Sequence, residues 1–167
     1  VQRGTCFERD RLLPYAPLLE VLRALLGTLP PAHVERCFAP VLPDLARLLP
    51  ELGHQPAEAT SEPEQEKRRM FAALAGVFSC LAASQPLLLV DEDLHWADET
   101  SLELLAVLAR RVPREPILLL GTYRDDEVSG GLDYLLDELD RGRLAIELRL
   151  TRLGHDDVAA MLRAIFD

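Results

Sequence analysis

Two short, wholly apolar runs constrain the fold of this chain more than any other feature. They are LLLV at residues 87–90 and ILLLGT at residues 117–122, and a proline precedes each of them. Apolar runs of this length are typical of strands that are covered on both faces of a sheet. The segment between them, SLELLAVLARRV, repeats leucine at helical spacing. A strand, a helix and a second strand in this order predict a parallel α/β sheet.

The other segments extend this alternation along the whole chain. Periodicity and turn residues predict a strand at 1–8 and a half-exposed strand at 144–150. They predict helices at 14–27, 66–84, 132–140 and 158–165. Short helices and turns are predicted at 28–56, and a polar loop or insertion at 55–66. We therefore expect a doubly wound parallel sheet. Thr100–Glu103 has the spacing of a capping box and is expected to begin the helix between the two apolar strands.

Charge and cysteine content exclude several classes of protein. The chain has 18 basic and 28 acidic residues and a net charge of -10, so we expect no direct binding of nucleic acid by this segment. Its three cysteines, Cys6, Cys37 and Cys80, are far apart and form no CxxC pair, which favours free thiols in a reducing compartment. Polar residues and Pro86 interrupt the most apolar window, 74–90. We expect a cytoplasmic protein without a membrane span.

Polar clusters follow both apolar strands. The first, DEDLHWAD at residues 91–98, is called the acidic segment below; the second is GTYRDDE at residues 121–127. In a parallel sheet both clusters would face one cleft at the carboxyl ends of the strands. A strand that ends in Asp91-Glu92 matches the Walker B pattern, in which the aspartate holds Mg²⁺ and the next carboxylate orients or deprotonates water. A solvated loop after a buried strand is the alternative interpretation.

The combination of blocks is more specific than either cluster. LLLVDEDLHWADETSLELL followed by ILLLGTYRDDEV resembles the nucleotide-binding domain of large bacterial signal-transduction ATPases. This AAA-related group occurs in LuxR-type and maltose-regulator-like transcription factors. The opening CFERDRLLPYAPLLEVLRALL and the closing RLAIELRLTRLGHDDVAAMLRAIF also resemble parts of that domain. The resemblance implies a three-layer, P-loop NTPase-like α/β fold with ATP and Mg²⁺ as cofactors.

The resemblance also implies roles for individual residues. Asp91 would hold Mg²⁺ and Glu92 would position water, although counting back from Leu94 moves the acidic pair to Glu92 and Asp93. Strand geometry favours Asp91 and Glu92, and Asp93 stays the competitor for both the catalytic and the metal role. Arg124, together with Thr122, matches the position of a nucleotide-binding sensor near the γ-phosphate. The alternative for the arginine is a surface ion pair with one of the aspartates that follow it.

One part of a nucleotide site is missing from the sequence. Lys67 is the only lysine, and no GxxxxGK[ST] loop surrounds it, so Walker A is absent. We expect a fragment truncated before the second strand, with residues 1–150 as a partial ATPase core and 151–167 as the start of a helical lid. A Pro- and Leu-rich helical insertion is expected at about 28–66. Other domains of a parent chain, and nucleotide-dependent self-association, would be its partners; a degenerate paralogue is the alternative.

Two other functions compete with the ATPase. A metal-dependent phosphoesterase would use Asp91, Asp93, His95 and Asp98, which are suitable ligand types within eight residues. Alternatively, His95 packs beside Trp96 as a structural residue and Asp98 caps the next helix. A non-enzymatic interaction module would use the leucine-rich helices to bind a partner. That last reading leaves the two matched strand-end clusters as a coincidence.

Overall fold

The three strands form one parallel sheet in the order β1-β2-β3. The computed structural model describes residues 1–8, 14–56 and 62–166, except for the side chain of Leu52. Strand β1 is Gln2–Thr5, β2 is Leu87–Glu92 and β3 is Ile117–Gly121. In the register, Gly4 lies opposite Asp91, and Asp91 lies opposite Gly121. The prediction of a parallel α/β architecture is confirmed. The strands predicted at 1–8, 87–90 and 117–122 are also present.

Seven α-helices are described around this sheet. They are α1 (Ala16–Thr28), α2 (Pro31–Phe38), α3 (Leu42–Leu45), α4 (Pro63–Ala82), α5 (Glu99–Ala109), α6 (Gly130–Gly142) and α7 (His155–Phe166). Prolines lie in the first turn of the first four, where the missing N–H removes no helical hydrogen bond. The residues predicted as a mobile loop at 55–66 fall partly on 57–61, which lie outside the described residues.

The helices that connect the strands cover one face of the sheet. Both crossovers join neighbouring parallel strands in the same direction, and right-handed crossovers then place their helices on the same side. On that side α1 approaches β1 so closely that a Cβ atom at Gly4 would lie 2.7 Å from the carbonyl oxygen of Pro17. Leu74 and Phe78 of α4 and Leu89 of β2 are among the fully buried side chains of this layer.

The opposite face of β3 is not covered in the same way. Leu118 and Leu120 point to that face and are 61% and 48% exposed, whereas Ile117 on the covered face is buried. The predicted third layer is therefore wrong for this face of β3 in the described part of the chain. A strand with apolar residues on both sides needs cover on both sides, and the helices described here supply one layer.

The prediction of free thiols is wrong for two of the three cysteines. Cys37 of α2 and Cys80 of α4 form a disulfide, with their Cα atoms 5.5 Å apart. The two cysteines are 43 positions apart with no spacing signal, so only the packing of α2 on α4 brings them together. Cys6, the residue after β1, is buried. The disulfide fastens the helical segment 31–52 to the core helix α4.

The last segment of the chain differs from the prediction in one element. Residues 144–150 form no strand, and all but Leu144 among them are classed as exposed, so the predicted half-exposed strand is wrong. Alternation with period two allows a strand, but a strand also needs a neighbouring edge for its hydrogen bonds. Helix α7 is present, and it buries none of its side chains. The domain boundary at residue 150 and the assignment of α7 to a lid stay predictions.

None of the helices in the described part of the chain combines the length and apolarity that crossing a bilayer requires.

Candidate functional site

The acidic segment begins inside β2 and leaves it by a sharp turn. Asp91 and Glu92 are the last two residues of the strand. Asp93 then adopts a left-handed backbone conformation with φ 61° and precedes a single 3-10 turn, Leu94–Trp96. A positive φ is tolerated by aspartate better than by most residues, because its short polar side chain bonds locally. The turn directs the chain away from the sheet immediately after Glu92.

Thr122 holds this turn against the end of β3. Its backbone N–H donates to the carbonyl oxygen of Asp91 at 3.0 Å, and its own carbonyl accepts from the N–H of Leu94 at 2.8 Å. Its hydroxyl oxygen accepts from the N–H of Asp93 at 3.2 Å. Gly121 leaves room for the packing of Leu94, because a Cβ atom there would lie 2.6 Å from Cδ1 of that leucine. The two predicted clusters therefore meet at one edge of the sheet.

The carboxyl group of Asp91 is almost completely removed from solvent. The residue is 3% exposed, and burial raises its pKa from 3.8 to about 6. Desolvation penalises the ionised form, while a nearby cation would favour it. Desolvation alone causes this shift, which makes Asp91 a candidate for a functional group.

Glu92 is more accessible and faces a residue that the sequence pattern did not single out. Its Oε2 lies 3.5 Å from Nε of Arg3, which comes from β1. Both side chains are partly exposed, so the pair orients the carboxylate more than it stabilises the fold. The backbone carbonyl of Glu92 accepts the N–H of Cys6 at 2.9 Å. Only the parallel register of β1 on β2 could have identified Arg3.

Arg124 lies on the loop between β3 and α6, residues 122–129. Its backbone N–H points at Nδ1 of His95 at 3.4 Å, so the arginine is tied to the acidic segment through its main chain. Its guanidinium binds Asp126 and Glu127, with Nη1 at 2.8 Å from Oε1 of the glutamate. Asp126 raises the pKa of Arg124 most, and Asp93 contributes from the acidic segment. Arg124 thus forms the surface ion pair that was the alternative to a sensor role, and its backbone also contacts the acidic segment.

The remaining polar residues of the acidic segment have structural partners. Asp98 is the N-cap of α5, and its carboxylate accepts the N–H of Ser101 at 3.0 Å. The predicted capping box with Thr100 at the start of α5 is therefore wrong, because the helix begins at Glu99 and its N-cap is Asp98, two residues before Thr100. His95 is 1% exposed and stacks at an angle on Trp96, with ring centroids 4.6 Å apart. Burial and capping account for both residues.

The arrangement fits some metal chemistry and not other kinds. No three histidine, cysteine, aspartate or glutamate side chains converge on a metal-sized site within residues 1–8, 14–56 and 62–166. That finding argues against the phosphoesterase alternative, which needs such a cluster. Mg²⁺ in phosphoryl-transfer sites instead keeps several waters and binds one or two carboxylates plus substrate phosphates. Asp91 and Glu92, adjacent at the strand end, fit that second type of site.

A separate groove lies between α5 and α6, away from these residues. It has a volume of about 590 Å³, and its walls include Leu102, Arg110, Tyr134 and Glu138. Arg110 and Glu138 form an ion pair at its side. None of the residues at the ends of β2 and β3 contributes to its lining, so it is not part of the predicted site.

Comparison with known proteins assigns the chain to a family. The sequence profile described as "AAA ATPase domain" matches residues 1–120, which include all three strands but for Gly121. The chain belongs to the AAA ATPase domain family. The resemblance of the sequence to AAA-related ATPases is thereby confirmed. The family indicates a nucleotide-binding, ATPase-type module. The match ends before Thr122 and Arg124.

One curated relative is much longer than this AAA ATPase domain. An uncharacterized protein of Rhizobium meliloti (strain 1021) is 30% identical over 76 residues, which are 46% of this chain. The aligned part covers 7% of the length of that relative. No solved structure matches the chain significantly.

Proposed function

We propose that this AAA ATPase domain carries the magnesium- and water-facing half of an ATP site in a signal-transduction ATPase. The observation that carries the proposal is the junction made by Thr122, which holds the acidic segment and the β3–α6 loop at one edge of the sheet. Ligands of open parallel sheets bind outside the carboxyl ends of the strands, where these residues lie. Membership in an ATPase family supports the same chemistry.

In this proposal Asp91 holds Mg²⁺ and Glu92 positions the attacking water. Bound Mg²⁺ would neutralise charge on the phosphates during transfer. Two observations support this choice over a pair formed by Glu92 and Asp93. Asp91 and Glu92 share the rigid strand, whereas Asp93 follows it in a left-handed turn. Asp91 is also the buried carboxyl group whose pKa is raised, so a cation would change its environment most.

Arg124 and Thr122 face the phosphate side in the proposed site. A guanidinium presents planar N–H donors that match phosphate oxygens, so Arg124 is suited to sense the γ-phosphate. The hydroxyl of Thr122 already accepts the N–H of Asp93, and its own hydrogen remains available to a phosphate oxygen. Arg124 acts from the loop and Thr122 from the strand end.

The phosphate-cradling half of the site is not formed by this chain. Lys67 lies on α4 and cannot serve as a Walker A lysine, because no glycine-rich loop precedes it. Its Nζ instead lies 2.7 Å from Oε2 of Glu103 on α5. We therefore propose that a phosphate-binding loop precedes Val1 in a longer protein. Alone, residues 1–167 should bind Mg²⁺-ATP weakly or not at all. Calorimetric titration tests this, and a micromolar affinity would contradict it.

The catalytic assignment is testable in the longer protein that includes the upstream loop. We expect Glu92→Gln to slow ATP hydrolysis by about 10² or more while ATP affinity changes little, because removing a general base affects the chemical step. Asp91→Asn should weaken the dependence on Mg²⁺. Glu20→Gln, an equal change at an exposed position of α1, should leave both unchanged.

The same experiment decides the register of the acidic pair. Asp93→Asn should reduce hydrolysis much less than Asp91→Asn if the pair is Asp91 and Glu92. A larger loss for Asp93→Asn would move the pair by one residue. Unchanged turnover in Glu92→Gln would refute the proposed role of that residue.

The biological setting is part of the proposal. The partners we infer are ATP, the other domains of the parent chain and, on nucleotide binding, a second copy of the protein. The net charge of -10 opposes direct binding to nucleic acid by this segment, so a DNA-binding output would lie in another domain. We propose a location in the cytoplasm because ATP is available there; the Cys37–Cys80 disulfide removes the support that free thiols would have given to this proposal.

A further inference from the structure

The guanidinium of Arg124 is already occupied by carboxylates of its own loop. Nε lies 3.2 Å from Oδ1 of Asp126, and Nη2 lies 3.0 Å from Oδ2 of the same residue. Nη1 lies 2.8 Å from Oε1 of Glu127. All three of its nitrogens therefore face one of two carboxylates, so N–H groups that could donate to a phosphate are directed at Asp126 and Glu127.

Glu127 connects this arrangement to the acidic segment. Its second oxygen, Oε2, lies 3.8 Å from Nε2 of His95, whose side chain is fully buried. The other ring nitrogen, Nδ1, accepts the backbone N–H of Arg124 at 3.4 Å. The imidazole is thus placed between the backbone of the arginine and the carboxylate that holds its side chain. Glu127 is less exposed than Asp126, as expected of a residue that faces the interior.

We propose that Asp126 and Glu127 act as an internal counter-anion that holds Arg124 in a resting position and competes with the γ-phosphate for its guanidinium. The inference rests on the proposed ATP site. The carboxylates and a phosphate compete for the planar N–H donors of one guanidinium, and the negative charge of the carboxylates opposes the approach of a phosphate. The presence of a γ-phosphate then determines whether the Arg124 guanidinium contacts the carboxylates of its loop or the nucleotide.

The surroundings of Arg124 allow such an exchange. Asp126 and then Glu127 raise the pKa of Arg124 most, and Asp93 of the acidic segment contributes less. The side chains of Arg124 and Asp126 are more than half exposed, and exposed pairs of this kind are weak. We expect each carboxylate to reduce phosphate affinity by about two- to fivefold, which is a modest effect that a nucleotide can overcome.

The variants that test the proposal are Asp126→Asn, Glu127→Gln and the double variant. Asp125→Asn is the matched control, since it removes the same charge from the same loop and the structure shows no bond from Asp125 to Arg124. The resting position can be measured in residues 1–167 without nucleotide, by NMR of the arginine Nε–H. Its exchange with water should be slow in the wild type and in the control, and several times faster in the double variant.

The competition is measured in the longer protein. The double variant should bind Mg²⁺-ATP about five- to tenfold more tightly than the wild type, with a smaller change for Mg²⁺-ADP, which lacks the γ-phosphate. The control should behave as the wild type does. Equal Nε–H exchange in the double variant and the control would overturn the resting position. ATP binding that does not differ between these two proteins would overturn the competition alone, whereas a wild type that binds no ATP would overturn the proposed function itself.

Discussion

The two ends of β2 have opposite characters. At its start, Leu87 follows α4, whose apolar side chains fill the core and whose last turn carries the disulfide to α2. At its end, Asp91 is buried with a raised pKa and Asp93 is in a left-handed conformation. The first end is built from contacts that stabilise the fold. The second retains features that destabilise the fold, which agrees with the ligand site proposed there.

The largest effect should come from the core of α4. Phe78 is fully buried, and Phe78→Ala should lower the free energy of unfolding by about 3–5 kcal/mol, because a cavity replaces the ring. Chemical denaturation measures this change. Phe78→Leu is the matched control and should lower stability by less than half as much. A loss below about 1 kcal/mol for the alanine variant would show that this end of β2 is not the stabilising one.

The disulfide should make the next largest contribution. Reduction of the Cys37–Cys80 bond should lower the free energy of unfolding by about 2–4 kcal/mol, because the bond closes a loop between residues 43 positions apart in the unfolded chain. Thermal unfolding with and without a reductant measures the effect. The double variant Cys37→Ser, Cys80→Ser should be insensitive to the reductant. Equal sensitivity of both proteins would show that the bond does not form in solution.

At the other end of β2, removing a charge should stabilise the protein. Asp91 titrates near 3.8 when unfolded and near 6 when folded, so its stabilising contribution is complete below pH 3.8 and is lost as the pH rises through about 6. Asp91→Asn should therefore raise the free energy of unfolding at pH 7 by about 1–3 kcal/mol. The same variant should lose Mg²⁺-dependent activity in the longer protein.

The pH dependence provides the control for this variant. The difference in stability between Asp91→Asn and the wild type should grow between pH 4 and 6 and be constant above pH 7. Subtraction removes the titration of exposed groups such as Glu51 and Asp126, whose pKa values are lowered by arginines. A variant less stable than the wild type at pH 7 would contradict the raised pKa of Asp91.

The contrast between the two ends explains which features could be predicted from sequence. The four residues Leu87–Val90 predicted a buried strand because all of them are apolar, and the carboxylates after them predicted where the strand ends. The parallel direction of the strands follows from the same alternation. Local patterns were sufficient for these elements, since the physical cause lies within a few neighbouring residues.

Other features depend on contacts between distant residues, and local patterns failed there. The Cys37–Cys80 bond follows from helix packing, and the contact of Arg3 with Glu92 follows from the register of β1 on β2. Residues 144–150 have the alternation of a strand but pair with no neighbouring edge in the described part of the chain. In each of these cases a partner distant in sequence decided the outcome. The cap of α5 is a local exception, because Thr100 has capping-box spacing and yet Asp98, two residues earlier, provides the cap.

The smallest effect should come from the hydroxyl of Thr122. Thr122→Val keeps the shape of the side chain and removes the acceptor for the N–H of Asp93, so stability should fall by only about 0.5–1 kcal/mol. Thr122→Ser keeps the acceptor and should retain the bond. Amide exchange of Asp93 is the more direct measurement, because the left-handed turn should open more often in the valine variant alone. Equal protection in the valine and serine variants would mean that the backbone bonds of Thr122 are sufficient to hold the acidic segment against β3.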